Sequence, residues 1–196
     1  MATIMPTQVG TSQGENIQGT SGADVITSGG GRDVVNGRAE DDVIAGGANK
    51  DRLVGGEGDD VLDGGGSDDV LTGGAGDDVL FGGGQDDRMV GGEGSDTLIG
   101  GNDNDIMYLA TPSNLTAGDG VSDTLYFDQT DGADKVYGFE TGLDKVFLDG
   151  AAGYTLTNNG TSSFLVYGTT TVTFFNEVLS DSDIQYGTTP SFSDFF

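Results

Sequence analysis

The sequence predicts an all-β chain: a two-sided parallel β-roll over the first half, closed by a β-rich cap over the second. Three observations carry this. Asp recurs at every ninth position through ten consecutive units. An apolar residue follows each Asp at the second position, the interval at which a strand returns to the same face. Glycine makes up 37 of the 196 residues, and much of it falls in pairs that open the units.

The Asp series is Asp24, Asp33, Asp42, Asp51, Asp60, Asp69, Asp78, Asp87, Asp96 and Asp105. Its apolar partners are Ile26, Val35, Ile44, Leu53, Leu62, Leu71, Leu80, Met89, Leu98 and Met107. Glycine pairs run from Gly46-Gly47 to Gly100-Gly101, and a complete unit reads Gly55-Gly-Glu-Gly-Asp-Asp-Val-Leu-Asp. Gly10 to Gln18 reads as a degenerate leading unit, with Glu15 and Ile17 in the Asp and apolar places. The expected organisation is an N-terminal segment over 1–18, a repeat block over 19–108 and a cap over 109–196.

A longer period lies beneath the first. From Asn49 onward, the residue two before each Asp alternates between a side-chain-bearing residue (Asn49, Ser67, Gln85, Asp103) and glycine (Gly58, Gly76, Gly94). The repeat there is eighteen residues, two loops and two short strands, which is one full turn of a two-sided roll. The two edges of the roll are therefore expected to differ chemically.

The nonapeptide Gly-Gly-x-Gly-x-Asp-x-apolar-x resembles that of the RTX family of secreted bacterial repeat proteins, a calcium-binding parallel β-helix repeat. The resemblance covers about half of the chain. It implies a right-handed parallel β-roll, calcium as the bound ion, and export by the type I secretion machinery. It also implies that the region after the repeats is the usual RTX flank, where phrases like Asp134 to Asp149 recur.

Elementary electrostatics also asks for a cation. Glycine permits the positive φ that aims carbonyls into a tight loop. Stacked turns place like Asp residues in two columns, one holding Asp24, Asp42, Asp60, Asp78 and Asp96, the other Asp33, Asp51, Asp69, Asp87 and Asp105. Carboxylates about 4.8 Å apart repel by roughly 3.5 kcal/mol at an effective dielectric near 20. Calcium accepts six to eight oxygen ligands in flexible geometry, whereas magnesium resists losing its waters. The ten Asp residues are the expected ligands, with backbone carbonyls of loop residues such as Gly56, Gly58, Gly74, Gly76, Gly92 and Gly94. Four gaps on each edge give about eight calcium ions. Acids beside the columns (Asp41, Asp59, Asp68, Asp77, Asp86) are expected to solvate the loops. Arg52 and Arg88, at outward strand positions, are expected to offset local negative charge.

Composition changes at Leu109, beyond which lie 14 of the 16 aromatic residues. Asp123-Thr-Leu-Tyr-Phe-Asp, Asp134-Lys-Val-Tyr-Gly-Phe and Asp144-Lys-Val-Phe-Leu-Asp each read as a strand following an acidic turn. Ser163-Phe-Leu-Val-Tyr and Thr171-Val-Thr-Phe-Phe read as a hairpin around Gly168. A solenoid end needs such a cap, because it exposes core and unpaired strand edges. The terminal Ser193-Asp-Phe-Phe resembles the C-terminal signals of type I export.

Absent residue types remove whole classes of chemistry. With no Cys and no His, the chain has no disulfide, thiol nucleophile, His-based triad or imidazole metal site. A formal charge of −26 repels nucleic acid and anionic membranes. There is no run long and apolar enough for a membrane-spanning helix, and Met1 to Gly14 lacks a cleavable signal pattern.

The expected function is a secreted or cell-surface calcium-binding structural protein, without enzymatic activity or catalytic residues. It is expected to self-associate into a surface layer, filament or matrix, with Val54, Val90, Phe81 and Ile99 as apolar stripes on the outside. The alternative is a monomeric calcium-triggered folding and secretion module, or a piece of a larger RTX toxin, protease or adhesin.

Overall fold

The computed structural model describes residues 7–110, 120–128, 130–149, 153–191 and 193. The chain is all-β. Among the described residues twelve strands begin before the composition change: β1 (Thr7–Val9), β2 (Asn16–Gln18), β3 (Val25–Gly30), β4 (Val34–Ala39), β5 (Val43–Ala48), β6 (Arg52–Glu57), β7 (Val61–Gly66), β8 (Val70–Ala75), β9 (Val79–Gly84), β10 (Arg88–Glu93), β11 (Thr97–Asn102) and β12 (Ile106–Ala110). Seven follow: β13 (Thr124–Phe127), β14 (Ala133–Tyr137), β15 (Lys145–Asp149), β16 (Tyr154–Asn158), β17 (Ser162–Tyr167), β18 (Thr170–Phe175) and β19 (Ile184–Gly187).

From β1 to β15 successive strands alternate between two sheets, which makes a parallel β-solenoid. One sheet has the order β1-β3-β5-β7-β9-β11-β13-β15-β19, and the other β16-β17-β18-β14-β12-β10-β8-β6-β4-β2. Register follows the eighteen-residue period: Leu62 lies opposite Leu80, and Leu53 opposite Leu71. Nine strands at about 4.8 Å spacing give the first sheet a length of about 38 Å.

The interior is one file of apolar side chains per sheet. Ile26, Val35, Ile44, Leu53, Leu62, Leu71, Leu80, Met89, Leu98 and Met107 are all buried and form one cluster. Both neighbours of each such residue point outward, as strand alternation requires.

The sheets run on past Leu109, which lies within β12. Leu98 pairs with Leu125, Leu125 with Val146, Met107 with Val136, and Val136 with Phe174. The inner file thus continues with larger side chains: Phe127, Phe139, Phe174 and Tyr167 are fully buried, and Phe139 meets Phe174 edge-on at 5.2 Å. The segments around Gly168 form the antiparallel β17–β18 hairpin, and β16 adds a third antiparallel strand.

Outward side chains on stacked strands stand at the strand spacing, so outward rings stack. Arg88 lies 4.2 Å over the Tyr108 ring and donates to its hydroxyl; Tyr108 stacks on Tyr137 at 4.9 Å, and Tyr137 on Phe175 at 4.6 Å. On the other sheet Tyr126 stacks on Phe147 at 5.0 Å. Arg88 therefore acts on an aromatic ring. The outward Phe81, Val90 and Ile99 are buried at 7–9% exposure, so they are not an open stripe, and Val54 is half-buried. Of the C-terminal Ser193-Asp-Phe-Phe, all but Ser193 lies outside the described residues.

Candidate metal centre

Each edge of the solenoid is a stack of loops, and each loop ends on a column Asp. All ten are buried, at 0–4% exposure. In nine of them, all but Asp24, one carboxylate oxygen ties turns together. The backbone N–H of Asp42 donates to Oδ1 of Asp60 at 2.8 Å, and that of Asp60 to Oδ1 of Asp78 at 2.8 Å. On the other edge the N–H of Asp51 donates to Asp69 and that of Asp69 to Asp87, each at 2.7 Å. The two columns expected from the period are therefore physical ladders.

The second oxygen is different. Oδ2 of Asp33, Asp42, Asp51, Asp60, Asp69, Asp78, Asp87 and Asp105 is buried and accepts no hydrogen bond. Each unsatisfied buried carboxylate oxygen carries a large desolvation cost. Burial is accordingly the main cause that pushes Asp60, Asp69, Asp78 and Asp105 up to about 7, Asp87 to about 8 and Asp42 to about 6, with neighbouring column carboxylates adding to it. These oxygens need either a proton or a cation.

Loop carbonyls crowd the same edges. Gly56, Gly74 and Gly92 have φ of +133°, +135° and +138°, and Gly58, Gly76 and Gly94 have +123°, +129° and +112°. The carbonyls of Gly56 and Gly74 lie only 2.1 and 2.0 Å from where a Cβ on Gly74 and Gly92 would stand, one turn on. Those of Gly58 and Gly76 approach Gly76 and Gly94 the same way, each at 2.3 Å. The first glycine of each pair faces Oδ2 of its own column Asp: a Cβ on Gly55 would be 2.1 Å from Asp60, and one on Gly73 would be 2.2 Å from Asp78. Glycine is required because backbone and carboxylate oxygens crowd these places. Among the described residues no three acidic side chains converge on one point, and the oxygens that crowd these places are backbone carbonyls and Asp carboxylates. Such an all-oxygen, carbonyl-rich set suits a hard and geometrically tolerant ion, as calcium is.

The edges differ, as the alternation of glycine and other residues suggests. Asn49, Ser67, Gln85 and Asp103 hold φ of +76°, +97°, +75° and +76°, close to the left-handed region that Asn and Asp tolerate, whereas their glycine counterparts lie beyond it. Acids outside the glycine-edge column also do more than solvate. Oδ1 of Asp41 accepts the N–H of Asp59, Asp59 that of Asp77, and Asp77 that of Ser95, at 2.8–3.0 Å. This exposed ladder runs opposite to the buried one. On the other edge Asp86 serves Asn104 in this way, and Asp68 pairs with Lys50.

Three column members were missed by reading the nine-residue spacing alone. Asp96 N–H donates to Asp123, Asp123 N–H to Asp144, and Asp105 N–H to Asp134, at 2.8–2.9 Å. The signal was present: Asp123-Thr-Leu125, Asp134-Lys-Val136 and Asp144-Lys-Val146 keep the Asp-x-apolar core of the repeat. At the other end, Glu15 N–H donates to Asp33, which places Glu15 in its column.

Fold and site define a parallel β-solenoid with buried carboxylate columns along both edges. The family model of the RTX calcium-binding nonapeptide repeat matches residues 9–44, 45–80 and 81–110, and the chain belongs to that family. RTX repeats bind calcium and form a structural module. Similar solved structures include an extracellular lipase from Serratia marcescens, with 21% identity over 85% of this chain and 38% of the lipase, at a TM-score of 0.35. A subunit of the Azotobacter vinelandii mannuronan C5-epimerase shows 19% identity over 94% of this chain and 85% of that subunit, at a TM-score of 0.21. The chain therefore spans well under half of the lipase's length. No curated protein matches the sequence.

Proposed function

We propose that the chain is a secreted structural protein whose solenoid folds when calcium enters the two columns. The single observation that carries this is the row of buried, unsatisfied Oδ2 atoms on both edges. The ligands in this reading are Asp24, Asp33, Asp42, Asp51, Asp60, Asp69, Asp78, Asp87, Asp96 and Asp105, with the carbonyls of the Gly-Gly-x-Gly loops. Four gaps on each edge of the repeat block take about eight ions, so binding and folding are one event. Residues 109–196 extend the sheets and cap them, and the C-terminus directs type I export. The column carboxylates are occupied in holding backbone N–H groups, which supports a non-enzymatic role.

Two forms of this function diverge once the chain has folded. Assembly into a layer or filament is supported by the edge strands β1 and β2 and by Val9, which is 75% exposed. A lone folding and secretion module is supported by the burial of Phe81, Val90 and Ile99. Sedimentation velocity at increasing calcium, starting from chelator, separates them. An expanded species that compacts and then forms large calcium-reversible particles is the expected result for assembly. A compact species that stays monomeric identifies the module. A species already compact in chelator would overturn calcium-driven folding itself.

A further inference from the structure

We infer that one calcium site lies outside the nonapeptide repeats, in the gap between Asp105 and Asp134. The inference rests on the reading of the columns as calcium sites, and it concerns a loop beyond residue 110, where the family match ends.

Four observations place it there. Asp105 N–H donates to Oδ1 of Asp134 at 2.9 Å, continuing the ladder of the repeats across 29 residues rather than 18. Oδ2 of Asp105 and Oδ2 of Asp134 are both buried without a hydrogen-bond partner, on residues that are 1% exposed. Gly132 sits over Asp103 as Gly76 sits over Gly58: a Cβ would come within 2.1 Å of the Asp103 carbonyl, against 2.3 Å in the repeat. The Asp131-Gly-Ala-Asp134 loop thus approaches the preceding turn as a repeat loop does, although Gly132 lacks the positive φ of Gly76 and the opening glycine pair is gone.

The fourth observation is a contrast. Where other carboxylates near the column ends have their second oxygen filled, the chain fills it with the N–H four residues back. Thr11 N–H donates to Oε2 of Glu15 at 2.7 Å, and Glu140 N–H to Oδ2 of Asp144 at 2.6 Å. For Asp134 the equivalent donor is Thr130, and its N–H goes instead to Oδ1 of Asp128 at 2.5 Å. Asp128 also takes the Thr130 hydroxyl and the Asp131 N–H. Asp128 is thus a positioning residue, which keeps the internal donor away and leaves Asp134 open to a cation.

Native mass spectrometry of the full chain in calcium tests this by counting ions on the folded species. Asp134→Asn keeps the Oδ1 acceptor but places a donor at the open position. It is expected to carry one calcium fewer than the wild type, while Asp59→Asn, outside the columns, carries the wild-type number. An unchanged count in Asp134→Asn overturns the site. A wild type that takes up no calcium would instead overturn the reading of the repeats. Should Asp134→Asn fail to fold, crystals of the wild-type chain soaked in terbium decide. An anomalous peak between Asp105 and Asp134 is expected, and peaks in the repeat gaps without one here overturn the inference.

Discussion

Replacing calcium by protons tests the electrostatics of the columns directly. In the solenoid, burial raises Asp60, Asp69, Asp78 and Asp105 from the ordinary 3.8 to about 7. At 1.36 kcal/mol per pH unit, each rise corresponds to about 4 kcal/mol of preference for the protonated form. Adjacent column members share this penalty, so the preferences do not add, but even one is a sizeable part of the about 5–15 kcal/mol that a typical domain has. Charge on the column carboxylates therefore weighs against the metal-free solenoid. A folded-state value above the unfolded one favours folding below about pH 4, and that contribution is lost as pH rises through about 7. In chelator, circular dichroism should report a disordered chain at neutral pH and growing β-structure as pH falls toward 4. Calcium should restore the same β-signal at neutral pH. Strong β-structure in chelator at neutral pH would refute the reasoning, as would a chelated chain that stays disordered at pH 4.

Asp60→Asn should raise the calcium midpoint for folding several-fold, while Asp59→Ala, which loses one exposed hydrogen bond to Asp77, should shift it less than about twofold; equal shifts in a calcium titration would show that the columns are wrongly assigned. Gly74→Ala should destabilise the calcium form by more than about 2 kcal/mol, because its φ is +135° and its Cβ meets a carbonyl at 2.1 Å, while Gly66→Ala, with nothing within 4 Å, should be nearly neutral in thermal melts. Deleting 111–196 leaves β11 and β12 without β13 and β14, so calcium-induced folding should weaken markedly; an unchanged titration would remove the capping role from the C-terminal half.

Much of the fold was legible because one constraint repeats. An inward residue every nine positions sets both sheets, and Leu62 over Leu80 follows from counting alone. The columns were legible for the same reason. Beyond Asp105 the loops change length, so Asp123, Asp134 and Asp144 stand 27, 29 and 21 residues from their column neighbours. Spacing no longer identifies them, although Asp-x-apolar still does. The exposed Asp41–Asp59–Asp77 ladder was not legible, because acceptance of a neighbouring turn's N–H depends on loop conformation. Nor was the burial of Phe81 and Ile99, since alternation assigns a side chain to an outer face without saying what covers that face.

The placement of the aromatic rings has an optical consequence. The chain has no Trp, and before Tyr108 its sole aromatic residue is Phe81. The repeat block is therefore nearly dark in the near ultraviolet, while the stacked Tyr108, Tyr137 and Phe175 and the Tyr126–Phe147 pair lie where the repeats give way to the C-terminal strands. Tyrosine absorbance and emission consequently watch that junction and the strands C-terminal to it, and the backbone signal in the far ultraviolet watches every turn. One unlabelled sample thus carries two channels, able to time the arrival of order in one half of the rod against the other.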